Sequence, residues 1–143
     1  MAQRVFITGI GILSSIGKNL KETVDSLLNS RSGIGQLTFL ESQHKENFPF
    51  AEVPLSNEQL FELAHIINQD GFSRNALLSI IAATEAYRHA RLHEIPALPT
   101  GLISATTVGG MDMCELYYND FLTNESRNAY IDGYECADST ERI

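Results

Sequence analysis

The chain has 143 residues, enough for one ordinary domain and too few for two, because domains cluster near ~100–150 residues. Hydrophobic residues make up 43% of it and 10 glycines add to the apolar share, which excludes a chain disordered throughout. Ten basic residues stand against 18 acidic ones, a net charge of -8, so the phosphate attraction behind most nucleic-acid affinity has no evident source.

Arg4-Val-Phe-Ile-Thr8 is β-branched and aromatic without polar alternation, which predicts a strand buried on both faces and central in a sheet. The turn from Gly9 to Gly17 follows, where glycine permits positive φ and close backbone approach. Asn19 with Glu22 three residues on predicts an N-cap, and Leu20, Val24, Leu27 and Leu28 place a helix over 20–29. Residues 34–55 hold no sustained period and read as loop, with room for an edge strand at 50–53. Ser56-Asn-Glu-Gln59 has capping-box spacing ahead of Leu60, Phe61, Leu63, Ala64, Ile66 and Ile67, a short helix that ends before Gly71. Over 73–92 the apolar positions wrap well past one stripe, which predicts a long helix sandwiched between layers. Residues 101–108 read as a second buried strand, and Gly109-Gly110 leads into a helix over 111–122. Strand, three helices, strand, helix favours an α/β layered fold with a largely parallel sheet and a buried long helix. Residues 1–122 are expected to form the folded segment and 123–143 an acidic tail, mobile in isolation.

The charge is concentrated. Residues 1–111 hold 10 acids and 8 bases, whereas 112–143 hold 8 acids and 2 bases. No stretch approaches the ~18–20 apolar residues of a membrane span, and the first residues lack the pattern of a signal peptide, so the chain reads as cytoplasmic. Cys114 and Cys136 form no CxxC pair and read as reduced thiols. A dinucleotide fingerprint fails because Ser14 stands where the third glycine belongs, and a P-loop fails because Gly11 to Gly17 is one residue too long and Lys18 precedes Asn19. His89 and His93 are four apart on the long helix without a third ligand beside them, and Arg88 and Arg91 favour exposed histidines over a metal site.

In order and content these residues resemble the β-ketoacyl-[acyl-carrier-protein] synthases, condensing enzymes with the thiolase-like layered α/β/α fold. Arg4-Val-Phe-Ile-Thr-Gly-Ile-Gly-Ile-Leu-Ser-Ser-Ile-Gly17 is similar to the family's opening strand and turn. Ser26-Leu-Leu through Ser32-Gly-Ile34 is similar to its first helix and following turn. Ala82, Ala83, Glu85 and Ala86 match its long helix, and Ser104-Ala-Thr-Thr-Val-Gly-Gly110 its second strand and glycine pair. The resemblance covers nearly the whole chain in four separated segments.

The resemblance implies decarboxylative Claisen condensation. An acyl group passes from acyl-carrier protein to a cysteine thiolate, and the carbanion formed as a malonyl-type extender loses CO2 attacks that thioester. Two histidines and backbone amides stabilise the oxyanion. The family's nucleophilic cysteine and catalytic histidines sit in motifs absent from this chain, so it has the character of the N-terminal part of a synthase, silent by itself and without a cofactor. Cys114 falls inside a helical pattern and Cys136 lies among acids that raise a thiol pKa, so neither takes the nucleophile's role. The same resemblance implies that Val108, Gly109 and Met111 line the acyl pocket, the alternative for Val108 being an apolar strand end. The family's usual homodimer implies a homo-oligomer. One departure bears on carrier docking: Asn68-Gln69-Asp70-Gly71 stands where many members carry Lys and Arg, and only Arg74 follows. The alternative is a non-catalytic binding or regulatory module derived from the same fold.

Overall fold

Helix α1 (Leu20–Leu28) begins where the sequence places its cap. The Asn19 side chain accepts the Glu22 amide at 2.9 Å, and the Glu22 carboxylate reaches back to the Lys18 amide at 2.9 Å. One of the amides that helix geometry leaves free is thereby satisfied, together with the amide of the residue before the cap. Next come α2 (Asn57–Ala64), α3 (Arg74–His89), a 3₁₀ turn over Leu92–Glu94, α4 (Met111–Thr123) and the short α5 (Asp138–Arg142). Ser73 caps α3 by accepting the Ala76 amide at 3.1 Å. The computed structural model describes residues 4–95, 99–107, 109–123 and 137–143.

The helix ends share a device that glycine usually supplies. Ser30, His65 and Arg91 hold φ of 51°, 57° and 56° just past α1, α2 and α3. At α1 the Arg31 amide then reaches the Ser26 carbonyl at 2.9 Å, and at α2 the Ile66 amide reaches the Phe61 carbonyl at 3.1 Å. This six-to-one closure satisfies terminal carbonyls through one left-handed residue. Helix α2 therefore stops at Ala64, before Ile66 and Ile67, and leaves Ile67 97% exposed.

The chain divides into two compact units, with the boundary inside α3. One comprises Met1–Ser56 and Ala82–Leu98, the other Asn57–Ile81 and Pro99–Ile143. The second unit buries Leu60, Phe61, Ala76, Leu77, Ile81 and Met113. The Phe61 and Phe72 rings meet edge to face at 5.9 Å, and the Arg142 guanidinium of α5 lies 4.3 Å from the centre of the Phe72 ring. The first unit buries Gly17, Thr23, Ser26 and Leu55, so Leu55 is the one large apolar side chain among its described buried residues.

The expected sheet is not formed, and the α/β reading is corrected on this point. Among the described residues there is no strand, and β-type pairing is confined to isolated antiparallel bridges joining Ser14 to Gly17 and Gly35 to Phe50. Run 4–8, expected as a central strand, and run 101–108, expected as a second buried strand of a thiolase-like α/β/α fold, form no strand among the described residues. Phe6 and Ile7 are both exposed, 73% and 83%, and Ile103 is 98% exposed. A strand is buried on both faces only when neighbours pair with its edges and layers cover it above and below. The described residues provide neither for these runs. For the same reason α3 is not a sandwiched helix: it buries Ala76, Leu77 and Ile81, while Tyr87 is about half exposed. Among the described residues no helix is long and apolar enough to cross a membrane.

Candidate functional site

In the second unit, one hydroxyl bridges the turn into α4 and the first turn of α3. Thr106 Oγ1 accepts the Gly109 amide at 3.1 Å and the Asn75 side-chain amide at 3.1 Å. Gly109 sits at φ 56°, a left-handed conformation in which any Cβ is strained. Gly110 is buried, and its carbonyl accepts the Met113 amide at 3.0 Å, opening α4. Met111, the first residue of α4, is 45% exposed. The Asp112 carboxylate accepts the Arg74 amide at 2.8 Å, adding a negative group where the first turn of α3 presents free amides. The structure places Gly109 in the turn and Met111 at the first position of α4. Val108 lies outside the described residues, so the third expected pocket residue is not located.

In the first unit, the glycine turn lies against the second half of α3. A Cβ on Gly9 would meet the Ala86 carbonyl oxygen and lie 2.7 Å from the Ala90 methyl. One on Gly11 would meet the Ala82 carbonyl oxygen and lie 2.6 Å from the Ala86 nitrogen. The two glycines of the turn thus match the alanines at 82, 86 and 90, spaced by one helical turn. Between those alanines Glu85 projects a carboxylate that accepts the Ile12 amide on one oxygen at 2.9 Å and the Leu20 amide on the other at 2.8 Å. Nδ1 of His89, one turn further on, accepts the Ile10 amide at 3.0 Å. One face of α3 therefore latches the first part of the turn and the first residue of α1. A second carboxylate in this unit, Glu52, accepts amides of Thr38, Phe39 and Leu40 at 2.7, 3.1 and 2.6 Å.

The sequence did not reveal these latches. The available signal was Glu85 itself, a lone acid among the alanines of a helix read as buried, where an acid needs donors. The side chains capable of nucleophilic or metal chemistry are dispersed. Cys114 is a half-buried free thiol in α4, and Cys136 lies outside the described residues. His44 packs edge-on to Phe48 at 5.8 Å, and His93 lies 3.7 Å from Glu94. Among the described residues no three His, Cys, Asp or Glu side chains gather as metal ligands. An open depression is lined by Thr84, Tyr87, Arg88 and His93.

No family model matches the chain. Individual relatives do: over about nine-tenths of its length the chain is similar to proteins named as a nodulation protein and as a 3-oxoacyl-[acyl-carrier-protein] synthase. The relatives are nodulation protein E of Rhizobium sp. (strain N33), 31% identical over 131 residues, and its counterpart in Rhizobium meliloti (strain 1021), 31% over 126. The 3-oxoacyl-[acyl-carrier-protein] synthase 2 of Staphylococcus aureus (strain COL) is 29% identical over 128 residues. These matches cover 90%, 87% and 87% of this chain and 32%, 31% and 30% of the relatives, so the chain spans about a third of their length.

Proposed function

We propose that the chain is the N-terminal segment of a 3-oxoacyl-[acyl-carrier-protein] synthase, a condensing enzyme acting on acyl thioesters in fatty-acid or polyketide synthesis. The observation that supports this is its similarity to nodulation protein E and to 3-oxoacyl-[acyl-carrier-protein] synthase 2 along nearly all of its own length and about a third of theirs. In this reading the chain contributes scaffold and one wall of the acyl pocket, through Val108, Gly109 and Met111. The reactive cysteine and the histidines that stabilise the oxyanion lie outside it. The complete enzyme accepts acyl groups from acyl-carrier protein, works in the cytoplasm as a homo-oligomer and needs no cofactor.

The test uses the full product of the gene. Given an acyl thioester and a malonyl thioester on carrier protein, it is expected to form a 3-oxoacyl thioester with release of one CO2 for each product. Val108→Phe is expected to move its preference toward shorter acyl chains by at least about tenfold, the scale on which a pocket discriminates one or a few methylenes. Binding of the carrier protein without acylation and without CO2 release would replace this reading with the non-catalytic module. Stoichiometric acylation of residues 1–143 alone, at Cys114 or Cys136, would overturn the assignment of the nucleophile to another part of the enzyme.

A further inference from the structure

We infer that Asn75 and Thr106 are positioning residues for the acyl pocket: through one shared hydroxyl they set the backbone that presents Gly109 and Met111. The inference rests on the pocket reading above. A threonine hydroxyl offers two acceptor lone pairs. Here both are used, one by the Gly109 amide at 3.1 Å and one by the Asn75 side-chain nitrogen at 3.1 Å. The same nitrogen donates to the hydroxyl of buried Ser139 at 3.2 Å. Both of its hydrogens are thus committed, and the rotamer of Asn75 is fixed from two sides. The next residue back, Arg74, donates its amide to Asp112 at 2.8 Å. Two adjacent residues in the first turn of α3 therefore grip the turn at 109 and at 112, and Met111 lies between the two grips.

A pocket wall on a gripped turn has one depth. A wall on a loose turn has several, and admits acyl chains of several lengths. Loosening the grip therefore broadens chain-length selectivity, whereas loss of general stability lowers turnover of every acyl chain alike.

Two measurements test this. The first is NMR amide exchange at Gly109 in the chain of 143 residues. Thr106→Val keeps the shape and removes the hydroxyl, and it is expected to speed exchange about tenfold, the equivalent of one hydrogen bond. Thr106→Ser restores the acceptor and is expected to stay within about twofold. Asn75→Leu approaches the same hydroxyl from the α3 side and serves where Thr106→Val does not fold. The second measurement is the ratio of kcat/KM for dodecanoyl- and hexanoyl-carrier thioesters in the full gene product, expected to shift by about threefold or more in Thr106→Val and Asn75→Leu but not in Thr106→Ser. Unchanged Gly109 exchange in both loosening variants overturns the inference. So does faster exchange with an unmoved ratio while Val108→Phe still moves it, a result that leaves the pocket reading intact. A ratio that Val108→Phe also fails to move brings down the pocket reading and this inference with it.

Discussion

The two units of the chain are held together by different forces. The unit of Asn57–Ile81 and Pro99–Ile143 has an apolar core in which Leu60, Ala76 and Leu77 are fully buried. Burial of a leucine side chain stabilises by about 1.5–3 kcal/mol. The unit of Met1–Ser56 and Ala82–Leu98 has little such burial. It relies on backbone brought close by Gly9 and Gly11, and on Glu85, His89 and Glu52 accepting backbone amides. The difference teaches that a glycine turn can be placed accurately by polar latches while the apolar residues around it, such as Val5 at 93% and Ile7 at 83%, stay exposed. Latches define geometry, each hydrogen bond contributing on the order of 1 kcal/mol; a core supplies the bulk of the stabilisation.

The contrast can be broken or sharpened by substitution, beginning with the core. Leu77→Ala deletes a fully buried side chain and is expected to lower unfolding free energy by about 2–5 kcal/mol in a urea titration. A loss under about 1 kcal/mol would show that the apolar cluster is not what holds the second unit. Glu85→Gln leaves one carbonyl oxygen to serve two amides, and a loss of about 1.5–3 kcal/mol is expected, as for hydrogen bonds to a charged group. Amide exchange should quicken at Ile12 or Leu20; protection retained at both would remove Glu85 from its latching role. Gly11→Val drives side-chain atoms into helix backbone at Ala82 and Ala86, an overpacking expected to cost about 1–3 kcal/mol by thermal melting. Because the clash is with backbone, Ala82→Gly in the same chain should not restore stability. At the far end of the scale, Ile103→Ser replaces a side chain 98% exposed and should leave stability within about 0.5 kcal/mol. A large loss there would mean that the 101–107 run is covered in solution.

How far the sequence could be read depended on the range of the interactions involved. Asn19 with Glu22 was legible because a cap binds amides two to four residues away. The carboxyl ends of the helices were less legible. Ser30, His65 and Arg91 take the left-handed conformation that glycine normally marks, so the α2 pattern reads through to Ile67 although the helix stops at Ala64. Runs 4–8 and 101–107 have strand composition, but composition states only what a segment would do if paired and covered. At the candidate site, Gly109 and Met111 came from the resemblance, whereas Asn75 and Thr106 are 31 residues apart and Glu85 is 73 residues from Ile12. No local pattern announces such pairs.

By itself the sequence determined where α1 to α4 begin, that two glycine turns interrupt the chain, and which class of enzyme the order of those turns resembles. Caps, helix propensity and glycine conformations are settled by contacts within a few residues, and so they are written locally. Tertiary structure decided that the two strand-like runs form no strand among the described residues, that Glu85 latches the first turn, and that Asn75 and Thr106 grip the second. Each of these depends on whether a donor or an apolar face from a distant part of the chain arrives to satisfy a group, and that is a property of the folded arrangement.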